Sequence, residues 1–240
     1  MRVTHGTLLA GRLAYAQPAE GYRTGIEPVL LAAAIPAVPG ERVVEAGSGA
    51  GAGLLALSAR VAGLSGTGLE RDPDMVALGR HNLASNGFDS VQLIACDVTA
   101  WHPDGVYDHA FANPPWHDEA NTQSPLSGRR EAKVAGPDLL QNWAIALAAG
   151  LRRRGTLSLI VPAATLAKTI TALGAARCDE VALHPFWPRE GEAAKIILLR
   201  GIRDGRGPSR VLPGLVLHKA DGSFTEAASA ILRGEASIAH

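Results

Sequence analysis

The segment of this chain best suited to chemistry is Asn113-Pro114-Pro115-Trp116. Two successive prolines fix φ and hold the residue before them extended. The Asn113 side-chain oxygen and the Pro114 carbonyl can then face one way, rigidly. An exocyclic amine is a poor nucleophile because its lone pair is delocalised into the ring. Two acceptors gripping both N–H groups favour a tetrahedral nitrogen with its lone pair aimed at an electrophile. No strong base is required, since the proton can leave afterwards. Trp116 offers a flat face for stacking, worth ~1–3 kcal/mol for a nucleobase. The plainer alternative is a Pro-Pro turn that ends a strand.

Three acids upstream have the complementary character. Glu45 precedes the turn Ala46-Gly47-Ser48-Gly49-Ala50-Gly51, where glycines let backbone approach a ligand and the next helix offers free N–H groups. A dinucleotide turn needs G-x-G-x-x-G; here the spacing is G-x-G-x-G. A carboxylate at Glu45 would repel a pyrophosphate but welcome an ammonium or sulfonium group. Glu70, followed by Arg71, stands where a carboxylate accepts bonds from two ribose hydroxyls. Asp97, followed by Val98, is placed for the amino group of an adenine; its alternative is a helix cap. Together they describe a pocket for a nucleoside with a positively charged tail, which is S-adenosylmethionine.

Alternating short apolar runs and longer helical patterns predict the elements that hold these residues, a parallel sheet with crossover helices. Strands are expected at 42–46, 67–69, 91–95, 107–112 and 156–161, and helices at 28–35, 52–61, 73–84, 137–149 and 163–173. Two further strands, 181–186 and 194–200, are close enough to pair antiparallel. A last strand at 215–218 and a helix at 224–232 finish the chain, and 117–136 reads as a polar loop. Successive strand ends would line one edge of the sheet, where open α/β folds bind ligands. The expected organisation is one domain over 1–240, with a helical cover at 1–40, a catalytic core at 41–200 and a C-terminal extension at 201–240.

The 240 residues suffice for a large core, and 47% apolar content with zero net charge excludes a disordered chain. Two cysteines far apart, Cys96 and Cys178, exclude a disulfide scaffold and favour a reducing compartment. No apolar run reaches the ~20 residues of a membrane helix, and no signal peptide is read, so a cytoplasmic location is expected. Residues 1–120 carry 7 basic and 13 acidic side chains, residues 121–240 carry 16 and 10, and arginine supplies 19 of the 23 cations. Arginine suits phosphate. Arg129, Arg130 and Lys133, together with the glycine-interleaved Arg203, Arg206 and Arg210, are the candidate contacts to a polyanion. His117-Asp118-Glu119 reads as a solvated loop rather than a metal site, and no metal is expected.

The run EAGSGAG, the acids Glu70 and Asp97, and NPPW resemble class I S-adenosylmethionine-dependent methyltransferases of the N-P-P-[YFW] amino-methylating group. Within that group the chain is similar to bacterial tRNA (adenine-N6) methyltransferases acting on valine tRNA. Gly25–Leu31 looks like their N-terminal helix, and Leu215–Glu226 like their C-terminal strand, turn and helix. Trp116 stands where tyrosine is usual, and Glu27 where aspartate is common. The resemblance implies a Rossmann-like seven-stranded sheet with helices on both faces and the last strand antiparallel. It also implies adenine N6 in tRNA as the methyl acceptor.

Three other functions compete. N5-methylation of a protein glutamine, in a release factor or ribosomal protein, would use the same clamp on a carboxamide, but those enzymes carry an N-terminal helical domain and only ~40 residues precede the first strand here. DNA adenine methylation lacks a target-recognition region. A silent cofactor-binding module is disfavoured by intact donor and acceptor motifs.

Overall fold

Strands here must be buried on both faces, because helices cover a parallel sheet from two sides. The segments Val43–Ala46 and Ala110–Ala112 meet that demand with unbroken burial. The computed structural model describes residues 1–21, 23–115 and 138–238. In chain order these form β1 (Val3–Leu8), β2 (Leu13–Pro18), α1 (Glu27–Ala34), β3 (Arg42–Ala46), α2 (Ala52–Arg60), β4 (Ser65–Glu70), α3 (Pro73–Ser85), β5 (Val91–Ala95) and β6 (Tyr107–Ala112). They continue as α4 (Leu139–Ala149), β7 (Leu151–Pro162), α5 (Leu166–Ala175), β8 (Cys178–Trp187), β9 (Ile196–Arg203), β10 (Arg210–Val211), β11 (Leu215–Val216) and α6 (Glu226–Leu232).

The main sheet runs β5-β4-β3-β6-β7-β9-β8, with β10 and β11 added along the free edge of β8. Every pairing is parallel except those of β9 with β7 and β8. The expected seven strands and single antiparallel member are therefore present. The correction is one of number: two short strands extend the sheet to nine. One core packs α1, α2 and α3 against the sheet through Leu30, Leu54 and Leu83. The other packs α4 and α5 through Trp143, Leu147 and Leu173. The Rossmann-like α/β class follows from this layering.

The N-terminal cover is not wholly helical, as the sequence suggested. Residues 3–18 form an antiparallel hairpin, β1 with β2, ahead of α1. Its four-residue turn has positive φ at Leu9, Ala10 and Gly11, so it lacks the Asn-Gly or Asp-Gly pair that marks a two-residue hairpin. The outer edge of β2 is satisfied by a helix. Asn82 Oδ1 accepts from the Ala16 N–H at 2.8 Å, and its Nδ2 donates to the carbonyls of Ala16 and Ala50. One turn on, Asn86 Oδ1 accepts from the Ala14 N–H at 3.0 Å and Nδ2 donates to Ala14 O at 2.8 Å. The two amides, i and i+4 on α3, thus imitate a neighbouring strand. Arg12 completes the docking by donating to the carbonyls of Arg233 and Gly234.

Candidate active site

Register brings the chemical residues into one row. Ala46 pairs with Ala112 on one side and Leu69 on the other. The next residues, Gly47, Asn113 and Glu70, therefore leave three adjacent strands together, about 4.8 Å apart per strand. Glu70 itself pairs with Ala95, and Asp97 follows two residues later. β3 is also the switch point: the chain runs outward through β4 and β5, then returns to pair β6 on the other side. That crevice is where open α/β sheets bind ligands.

The glycine turn is shaped by conformation and by close approach. Gly47, Gly49 and Gly51 all have positive φ. A Cβ on Gly47 would stand 2.8 Å from the Trp143 ring, so α4 presses directly onto this turn. From the other side, a Cβ on Gly79 of α3 would meet the Ala50 backbone at 3.2 Å. The turn is thus held between two helices. Sequence reasoning missed both contacts; a glycine in the interior of a helix, as Gly79 is, was the readable sign.

Glu70 links the strand ends before any ligand arrives. Oε2 accepts from the Gly49 N–H at 2.9 Å and Oε1 from the Asp72 N–H at 2.9 Å. Each oxygen has a further lone pair, so two hydroxyl donors can still be accepted. Asp97 caps a 3₁₀ turn: Oδ1 accepts from the Thr99 N–H at 2.8 Å and from its hydroxyl at 2.6 Å. Those bonds hold its carboxyl below the usual range, with help from Arg71. The cap foreseen as an alternative is present, and Oδ2 takes no part in it.

Glu45 lies deeper than its strand-end position implied. It is only 3% exposed, beneath the first turn of α2, where Oε2 accepts from the Leu54 N–H at 3.2 Å. A Cβ on Gly53 would collide with its carboxylate. Burial pushes the carboxyl up to about 8, against the Leu54 bond and with the charge of Glu70. Ser48 is also turned inward; its Oγ would lie 2.7 Å from a Cβ on Gly68. Ala46 and Val98 are buried core residues, able to offer a ligand only backbone. Trp101 and Trp143 are packing residues, and Trp101 meets Tyr107 edge-on.

Asn113 and Pro115 leave the end of β6, half-buried and exposed respectively, with Pro114 buried between them. Trp116, His117, Asp118, Glu119, Arg129, Arg130 and Lys133 lie outside the described residues. Arg203, Arg206 and Arg210 stand elsewhere. β9 runs antiparallel, so its C-terminal residue Arg203 is at the opposite end of the sheet, five residues beyond the level of Asn113 and roughly 17 Å from this row along the strands at about 3.3 Å per residue. Arg203 donates there to the Ala176 carbonyl. Arg210 lies in β10 at the sheet's edge. Residues 152–154 are an exposed part of β7. Among the described residues no group of three or more His, Cys, Asp or Glu could hold a metal, and no helix is long and apolar enough to cross a membrane.

Comparison with known proteins agrees with this geometry. Residues 27–132 match the family model described as methyltransferase small domain. A predicted O-methyltransferase from Agrobacterium tumefaciens shares 25% identity, with 89% of this chain and 99% of that one covered at a TM-score of 0.75. An S-adenosylmethionine-dependent O-methyltransferase from Thermotoga maritima has the same fold at 14% identity, covering 79% and 69% of the two chains with a TM-score of 0.57. So does a TehB-like methyltransferase from Corynebacterium glutamicum, at 13% identity, 77% and 90% coverage and a TM-score of 0.55. No curated protein is similar enough in sequence to count as a match. Fold, strand-end acids and the small-domain match support a class I S-adenosylmethionine-dependent methyltransferase. S-adenosylmethionine is its cofactor: an open glycine turn, a helix N-terminus and acceptor carboxylates are the donor set that ligand requires.

Proposed function

We propose that this methyltransferase acts on an exocyclic amino group, and that the group is adenine N6 in RNA, most simply a tRNA. One observation carries the reading. Asn113, locked ahead of two prolines, emerges beside Gly47 and Glu70 in a single row of strand ends, so an acceptor clamp and a cofactor turn are immediate neighbours. The bound cofactor supplies an electrophilic methyl group on a sulfonium. Glu70 and the glycine turn hold it, Asp97 meets its base, and the buried Glu45 keeps the turn in shape. The Asn113 side-chain oxygen and the Pro114 carbonyl accept from the two N–H groups of the substrate amine and orient its lone pair. Two acceptors suit an amine better than a hydroxyl, which has one hydrogen to give. Trp116 stacks on the base, and Arg129, Arg130 and Lys133 meet phosphates near it. Anticodon-loop bases are already partly unstacked, so drawing one into the site costs less than from a duplex.

The test is methyl transfer from labelled cofactor to unmodified tRNA, release factor and DNA in parallel, followed by nucleoside mass spectrometry. N6-methyladenosine from tRNA is expected. Label on glutamine instead would transfer the same clamp to a protein substrate. Asn113→Ala should lower turnover by about 10²-fold, the scale of losing one preorganised polar contact to a transition state. Trp116→Tyr should be mild. A normal rate in Asn113→Ala would sink the amine-gripping mechanism.

A further inference from the structure

The end of the sheet opposite the cofactor row carries a built cleft. Its volume is about 480 Å³, and it is lined by Arg153, Arg177, Asp179, Asp204, Gly205 and Arg206. Four departures from regular backbone lie in its lining or immediately beside it. Arg154, Arg177, Glu180 and Asp204 all have positive φ; among the described non-glycine residues only Leu9 and Ala10 share that conformation. β7 bulges out between its pairings at Leu151 and Thr156, which displaces the arginine run 152–154. β8 gains a residue against β9 between Asp179 and Ala182. Left-handed backbone at residues with a Cβ persists where surroundings impose it, and it gathers at binding sites. Bulges likewise re-aim side chains.

The irregular residues hold one another. Arg154 Nη1 pairs with Glu180 Oε2 at 2.8 Å, and that oxygen also accepts from the Gly207 N–H at 3.1 Å. Arg177 pairs with Asp204 at 2.7 Å, while the Asp204 N–H donates to the Arg177 carbonyl. A Cβ on Gly205 or Gly207 would run into Glu180, so the loop after β9 must lie flat on it. With these pairs closed, Arg153, Arg206 and Asp179 face the cleft, and no ion pair is found for any of them among the described residues. Two guanidiniums against one carboxylate leave one positive charge, which matches the single negative charge of a phosphodiester. Guanidinium forks are the side chains suited to phosphate oxygens.

We propose that this cleft, through Arg153 and Arg206, binds a phosphate group of the RNA acceptor, away from the methyl-transfer site. The choice of RNA as the source of that phosphate rests on the function proposed above. A site roughly 17 Å from the cofactor row by strand rise is within reach of a folded RNA lying along the flank of β8 and β9. A short protein loop entering at Asn113 would not span it.

The experiment compares wild type with Arg153→Gln/Arg206→Gln, following binding of an unmodified tRNA transcript across a salt series and of inorganic phosphate by calorimetry. Cofactor affinity in the same preparations reports an intact fold. The slope of log affinity against log salt should flatten by about 0.7 for a single-stranded contact, or 0.9 for a duplex one. Phosphate binding should be lost in the double variant. An unchanged slope together with unchanged phosphate binding would overturn the site. If wild type binds no transcript, the RNA reading fails on its own. Phosphate binding that disappears in the variant would then keep the site, with a free phosphate compound as its ligand.

Discussion

Glu45 and Glu70 show how two carboxylates one strand apart come to do different work. Burial lifts Glu45 to about 8, so in the folded chain it is neutral over a range where the unfolded chain ionises. A raised carboxyl contributes stability that is complete below its unfolded value near 4.5 and is lost as pH climbs to about 8. Glu45→Gln keeps an acceptor for the Leu54 N–H and removes the titration. Urea unfolding at several pH values should therefore show wild type weakening relative to this variant between about pH 4.5 and 8, by on the order of a few kcal/mol. A constant difference would mean that Glu45 ionises freely in the fold. Glu70 is less buried and acts through its bonds. Glu70→Ala should weaken S-adenosylmethionine binding by about 1.5–3 kcal/mol, the range for hydrogen bonds to charged groups, and loosen the Gly49 amide, which hydrogen exchange can follow. The identities of both acids were readable in the sequence. Their difference was not, because depth beneath α2 depends on packing by Gly53, which no spacing rule reports.

Among the elements, the glycine turn and α4 are the most tightly coupled. Gly47→Ala would place a methyl 2.8 Å from Trp143 and impose left-handed backbone on a residue with a Cβ, costing roughly 1–2 kcal/mol for the backbone alone. Cofactor affinity should drop sharply. Adding Trp143→Leu should restore part of it, and no recovery in calorimetry would point to the backbone rather than the ring. Parallel strands and their helices were legible because apolar runs, glycines and prolines mark them locally. The hairpin was not: its turn uses Leu9 and Ala10 in a conformation their identities disfavour, and its partner edge is two asparagines on α3. Asn82→Ala would leave an Ala16 N–H and the Ala16 and Ala50 carbonyls short of partners in the interior. A loss of about 1–3 kcal/mol is expected for such unsatisfied groups, with faster exchange at the Ala14 and Ala16 amides. If denaturation shows no loss, water replaces the amide.

Over the whole molecule, the split in charge along the sequence becomes a split across the sheet. Strands β3 to β6, from the acidic half, form one wing; β7 to β9, from the arginine-rich half, form the other. A polyanion approaching the cofactor row is attracted from one side and repelled from the other, which orients encounter although the net charge is zero. For an RNA acceptor, kcat/KM should fall as salt rises, whereas S-adenosylmethionine affinity should change little. Equal salt sensitivity of both would remove the wings from substrate recognition. Composition revealed the division and suggested its partner. It did not reveal that Arg203 would be spent on the Ala176 carbonyl and Arg154 on Glu180, because such pairings depend on strand register.

The asparagine clamp has a consequence for the order in which a nascent chain takes shape. Ala16 is anchored 66 residues downstream, at Asn82, which leaves a ribosome roughly 3–13 s later at 5–20 residues per second. Arg12 waits for Arg233 and Gly234, 221 and 222 residues on. The hairpin is thus made well before the partners that secure it, and until α3 forms, the outer edge of β2 is an open template for another strand. A ribosome-stalled chain ending before residue 82 should leave this segment open to protease, and one stalled well beyond residue 86 should protect it.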